Sequence, residues 1–278
     1  MTAVIDIARL TLRETQRRRI LWAGLLMGIG FLVIFAIGFY FIEREISRFP
    51  PGPSELRMIY GFLLTAGLYA TNLLVILMAV LISVTTISGE IESHTIESLV
   101  TKPISRWQIV IGKWLAYALL VLVYLLMLAV GLMIIVYVMS GFRMENIASG
   151  LALMGLQALV VLSLSIAGGT RLSTLANGVV AFMLFGIAFL GGWVEQIGAL
   201  FRNEAAVNIG ILTSLIMPAD ILWKKALSLF QPTFTSSPMA GGPFAVTSQP
   251  SNLMIVYAVL YTLGLLAFAL WSFTRRDL

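Results

Sequence analysis

Three acids, the lone histidine and three bases gather between Ser88 and Lys113, in the run S-G-E-I-E-S-H-T-I-E-S-L-V-T-K-P-I-S-R-W-Q-I-V-I-G-K. As catalytic chemistry the set is poor. Glu90 and Glu92 stand two apart, on different faces of a helix, and make weak acid–base partners. His94 is the only histidine, and on a polar helix face it reads as a solvated group. Elsewhere the chain offers no paired catalytic carboxylates, no Ser-His-Asp set and no metal-ligand spacing. There is no G-x-x-x-x-G-K-[ST] loop either, because Gly112-Lys113 is followed by Trp114 and lacks the upstream glycine. This many charges exceed what a turn between two apolar segments needs, so the stretch reads as a docking element.

The elements around it follow from spacing. Glu90, His94 and Glu97 or Ser98 share one helical face, and Ile91, Thr95, Ile96, Leu99 and Val100 supply an apolar counter-face. Pro103 drives Lys102 out of the helical region and ends this short amphipathic helix. A helix of that kind either rests on lipid headgroups or is gripped by a soluble partner.

Composition sets the surroundings. Of 278 residues, 59% are hydrophobic and 11% charged, against roughly 25% charged in soluble domains. The chain is therefore an all-α polytopic membrane protein. With no cysteine and one histidine, disulfides, thiolate metal sites and bis-histidine haem are excluded within one chain. The net charge of +5 is no nucleic-acid signal, since the bases sit at span ends, where orientation and anionic lipids account for them.

In chain order, 1–19 forms an amphipathic interfacial helix, with Ile5, Ala8 and Leu12 opposed to Arg9, Arg13 and Glu14. A signal peptide is the rival reading. It fails because the apolar run 20–41 exceeds an h-region of about 7–15 residues. Spans are expected at 20–41, 59–88, 114–139, 147–167, 172–193 and 253–273, each near or above the ~20 residues that cross the hydrocarbon core. Glu43 to Arg57 reads as an irregular, exposed loop. Asn72 and Asn177 are polar points inside spans, placed for interhelical packing or for lining a path. Region 195–251 holds an apolar piece too short to cross, then a helix after Pro218 in which Leu222, Ala226 and Leu229 oppose Lys224, Lys225 and Ser228. That helix is expected to lie flat on a surface, and Glu195 to sit at the interface.

Six spans put both termini on one side. That side carries eleven of the eighteen Lys and Arg residues, concentrated near the span ends. Termini and 89–106 segment are accordingly expected in the cytoplasm.

The run Glu90…Thr95…Leu99…Pro103…Arg106…Gly112-Lys113 resembles the signature of type-2 ATP-binding-cassette (ABC) transporter permeases. The layout agrees: a basic leader, six spans, a long loop before the last span, and a basic tail; the family also tends to place short re-entrant helices before the last span, which favours a re-entrant reading of 195–217. One departure is His94, where many relatives carry glycine. The resemblance implies that 89–106 is a cytoplasmic coupling helix seated on a separate ABC ATPase subunit. It implicates Glu90, Thr95, Leu99, Pro103, Arg106 and Lys113 in that contact. It also implies that ATP and magnesium bind in the partner, with no cofactor in this chain, and that a second permease copy and membrane lipids surround it. The function implied is a non-enzymatic permease subunit, an exporter by preference. The rival is a non-transporting scaffold or sensor that docks some other cytoplasmic protein.

Overall fold

The computed structural model describes residues 2–86, 105–230 and 250–275. Among them the chain is all helix: α1 (Thr2–Gln16), α2 (Arg19–Arg48), α3 (Pro53–Val84), α4 (Arg106–Ser140), α5 (Ile147–Gly169), α6 (Thr174–Leu200), α7 (Glu204–Ile216), α8 (Ala219–Phe230) and α9 (Leu253–Thr274). Six of these, α2 to α6 and α9, are long and apolar enough to cross a membrane. Helices α7 and α8 form a pair bent by 110°.

Several helices outrun their apolar cores. Helix α2 continues through Glu43 to Arg48, so the expected loop over Glu43 to Arg57 shrinks to a link of residues 49–52. At this end of α2 the Tyr60 hydroxyl donates to Glu43 at 2.7 Å, beside an exposed Arg48–Glu45 pair at 3.3 Å. Helix α3 then starts at Pro53, a residue suited to a first turn, while the Glu55 carboxylate accepts the Gly52 N–H at 3.3 Å. Helix α4 begins at Arg106, eight residues ahead of the expected 114, because Ser105 and Gln108 cap it, with the Ser105 N–H donating to Gln108 at 3.2 Å. It closes on Gly141, whose φ of 69° is the left-handed geometry of a helix stop.

Helix α5 is the centre of the bundle, touching α3, α4, α6, α8 and α9. Leu153, Met154, Val160, Val161, Leu162 and Ile166 are all buried along it. Helix α2 is the opposite case: Leu26, Ile29, Val33, Ile34 and Ile37 are at least half exposed, as expected of a helix whose solvent is lipid.

Helix α1 packs along α4 by a different face from the one its pattern indicated. Ile7, Thr11 and Thr15 are buried, whereas Ile5 is 49% exposed. The two threonines donate to the carbonyls one turn back, Thr11 to Ile7 at 2.9 Å and Thr15 to Thr11 at 2.7 Å. With its hydroxyl satisfied within the helix, each threonine can be buried as if apolar.

Candidate functional site

The bundle has two polar ends. At the first, α1, the C-terminal ends of α3 and α9 and the start of α4 meet around the two mouths of the 87–104 link. At this link end cations reach backbone carbonyls, a hydroxyl and a carboxylate. Lys113 is 4% exposed and reaches the Thr86 carbonyl at 3.5 Å, beside the end of α3. Arg18 donates to the Thr85 hydroxyl and pairs with Glu14. Arg106 donates to the Thr274 carbonyl at 3.3 Å, at the end of α9. Cations at helix C-termini meet both orphan carbonyls and the negative end of the helix dipole.

Gly112 explains the other half of the Gly-Lys pair. A Cβ there would stand 2.8 Å from Ile7 Cγ2 and 3.0 Å from the Val4 carbonyl oxygen. Only a residue without a side chain lets α1 lie this close to α4. Gly112 and Lys113 thus serve adjacent joints, one to α1 and one to α3. Beside them Arg171 donates from Nε to Ser272 at 2.7 Å, and the Arg171 and Arg275 guanidiniums lie over the Trp271 ring.

Of the residues singled out in the sequence, Glu90, Thr95, Leu99 and Pro103, with His94, lie outside the described residues. Arg106 and Lys113 are placed, and both point to other helices of this chain. Asn177 is 1% exposed and donates to the Ser165 carbonyl at 2.8 Å, stitching α6 to α5. Asn72 is buried within α3.

The second end was misjudged from sequence. Helix α8 does not lie flat on a surface: Asp220, Trp223 and Lys224 are all at most 5% exposed. Nor does Glu195 sit at an open interface. The Lys224 ammonium stands 2.7 Å from Glu195 Oε2 and 2.9 Å from Asp220 Oδ2. Lys224 could be turned inward because two carboxylates await it there; a buried charge persists only when paired. The readable signal was Asp220 and Lys224 at i and i+4, one helical turn apart, with an isolated Glu195 in the preceding apolar run.

Small residues admit this triad. A Cβ on Gly210 would run into the Glu195 side chain, one on Gly192 into the Asp220 carboxylate, and one on Gly191 into Thr213. Helix α7 therefore doubles back along α6 almost backbone to backbone. The C-terminal end of α7 is tied to α9 by two hydroxyls: Tyr257 donates to the Leu215 carbonyl at 2.6 Å and Tyr261 to that of Ile216 at 2.9 Å. Lys225, expected on an outer face with Lys224, reaches the Pro250 carbonyl at 2.9 Å instead.

Set against known proteins, residues 6–278 match a family model described as ABC-2 family transporter protein. No curated protein matches the chain.

Proposed function

Since the chain belongs to the ABC-2 family of transporter permeases, we propose that it is the transmembrane half of an ABC exporter whose ATPase is a separate subunit. The ATPase grips the 89–106 segment from the cytoplasm. Glu90, Thr95, Leu99 and Pro103 are the contact residues, ATP and magnesium are held by the partner, and two permease copies face each other across the path. Both termini lie on the cytoplasmic side. The cargo carries much apolar surface, in keeping with the scarcity of charge along the spans.

The observation that carries this reading is the clamping of both mouths of the link. Its upstream mouth is held by Lys113 on Thr86 and Arg18 on Thr85, its downstream mouth by Arg106 on Thr274. A push on the link is therefore delivered to α1, α3, α4 and α9 together rather than absorbed by a loose joint. In this reading Lys113 and Arg106 transmit the movement within the chain rather than touch the ATPase.

The test is copurification with a soluble ATPase. Glu90→Ala should weaken that association, whereas Lys113→Met should leave it intact and lower cargo-stimulated ATP turnover by roughly ten- to a hundredfold, the consequence of a lost charged hydrogen bond of roughly 1.5–3 kcal/mol. Stable purification from membranes with no ATPase at any stage would favour a scaffold instead.

A further inference from the structure

Helix α8 brings an uneven charge count into the bundle. Glu195, Asp220 and Lys224 are 7%, 5% and 4% exposed, so two carboxylates share one ammonium away from water. Among the described residues no second cation faces them. Of the helices packed on α8, α5 carries no titratable residue and α6 only Glu195. Helix α7 has Glu204 alone, exposed in its first turn at the end away from α8. Helix α9 commits Tyr257 and Tyr261 to the Leu215 and Ile216 carbonyls, and α3 sets the Tyr69 ring edge-on to Trp223 at 4.7 Å. Lys225 of α8 itself reaches the Pro250 carbonyl at 2.9 Å. The 231–249 segment that follows holds no titratable residue.

The surplus negative charge has to be met. A buried carboxylate without a counter-charge is so costly that the group takes up a proton instead. The Lys224 ammonium donates to Glu195 Oε2 at 2.7 Å. It stands 2.9 Å from Asp220 Oδ2, an oxygen with no hydrogen-bond partner, so Asp220 is the less compensated carboxylate. The N-terminus of α8 places roughly half an elementary charge beside Asp220, which falls short of the whole charge in surplus.

We propose that the triad is a proton-binding site, in which a neutral Asp220 lies beside a Glu195–Lys224 ion pair. The site makes the junction of α6 and α8 sensitive to pH. It goes beyond the exporter reading and needs nothing from an ATPase, so either can fail without the other. The folded chain then binds a proton that an unfolded aspartate, with a pKa of about 3.9, has already shed. The contribution of this group to stability is therefore greatest in acid and is lost as pH rises through the titration of the site.

The sequence contains three aspartates, Asp6, Asp220 and Asp277, so an isotope label at the aspartate carboxyl carbon is a selective NMR probe of the full chain in nanodiscs. Asp6→Asn and Asp277→Asn assign two of the signals and leave that of Asp220 by elimination. Its midpoint should lie about two pH units above the ordinary aspartate value, roughly a hundredfold in proton affinity. The melting temperature of the parent should also fall more steeply between about pH 5 and about pH 8 than that of Asp220→Asn, whose amide needs no proton. An Asp220 midpoint at or below the ordinary value overturns the proposal, and so do identical pH profiles of melting for parent and variant. If Asp220→Asn fails to purify, the carboxyl titration decides alone.

Discussion

The link end and the hairpin end use charge in opposite ways. At the link end, Lys113, Arg18 and Arg106 are directed at carbonyls and a hydroxyl of neighbouring helix ends. Two of these bonds end on backbone carbonyls and the third on the Thr85 hydroxyl. At the hairpin end the ammonium of Lys224 meets two carboxylates, those of Glu195 and Asp220, away from water. The first arrangement fastens helices to one another. The second holds only while water stays out. One polypeptide thus joins its helices by cations on uncharged oxygens at one end of its bundle and by a sealed ion cluster at the other.

The sharpest way to break that contrast is at the triad. Lys224→Met leaves two carboxylates facing each other in a sealed site, and breaking a buried pair in this way costs about 3–5 kcal/mol. The purified chain should lose thermal stability by far more than any link-end variant does. An unchanged melting temperature would mean that the site is already hydrated and the contrast false. Next in size is Gly112→Val. Its side chain would collide with Ile7 and Val4 of α1, and overpacking of this kind costs about 1–3 kcal/mol. Helix α1 should lift from α4, and trypsin should then cut after Arg9 and Arg13 while the spans stay intact; resistance equal to the parent would show that α1 is not seated as described. The smallest effect sharpens the comparison from outside both sites. The Arg48–Glu45 pair is mostly solvated, with side chains 59% and 63% exposed, and Glu45→Ala should move stability by less than about 0.5 kcal/mol. A larger loss would show that exposed pairs matter here as much as sealed ones.

How far each feature could be read in advance depended on how local its cause is. The crossing helices were legible because an apolar run of span length has one physical outcome in a bilayer, whatever surrounds it. Their ends were less so: Glu43 to Arg48 look like loop but remain helical, and Tyr60 on the next helix donates its hydroxyl to Glu43 there. The Gly112-Lys113 pair was visible as a motif, but its work was not. Neither the approach of Val4 and Ile7 to Gly112 nor the reach of Lys113 to Thr86 is implied by spacing along the chain.

Helix α8 marks the limit most clearly. A helical pattern with Lys224 and Lys225 on one side describes a surface helix as long as nothing else is known. Amino-acid order alone established the membrane class, the six apolar helices, the amphipathic leader and the charged link between the second and third spans, since each follows from hydrophobicity and helix geometry within one segment. Tertiary packing decided which side of α8 faces inward, which face of α1 is covered, and that Glu195, Asp220 and Lys224 share one site. A charge can leave water only where an opposite charge waits for it, and whether one does is a property of helices brought together from separate parts of the chain.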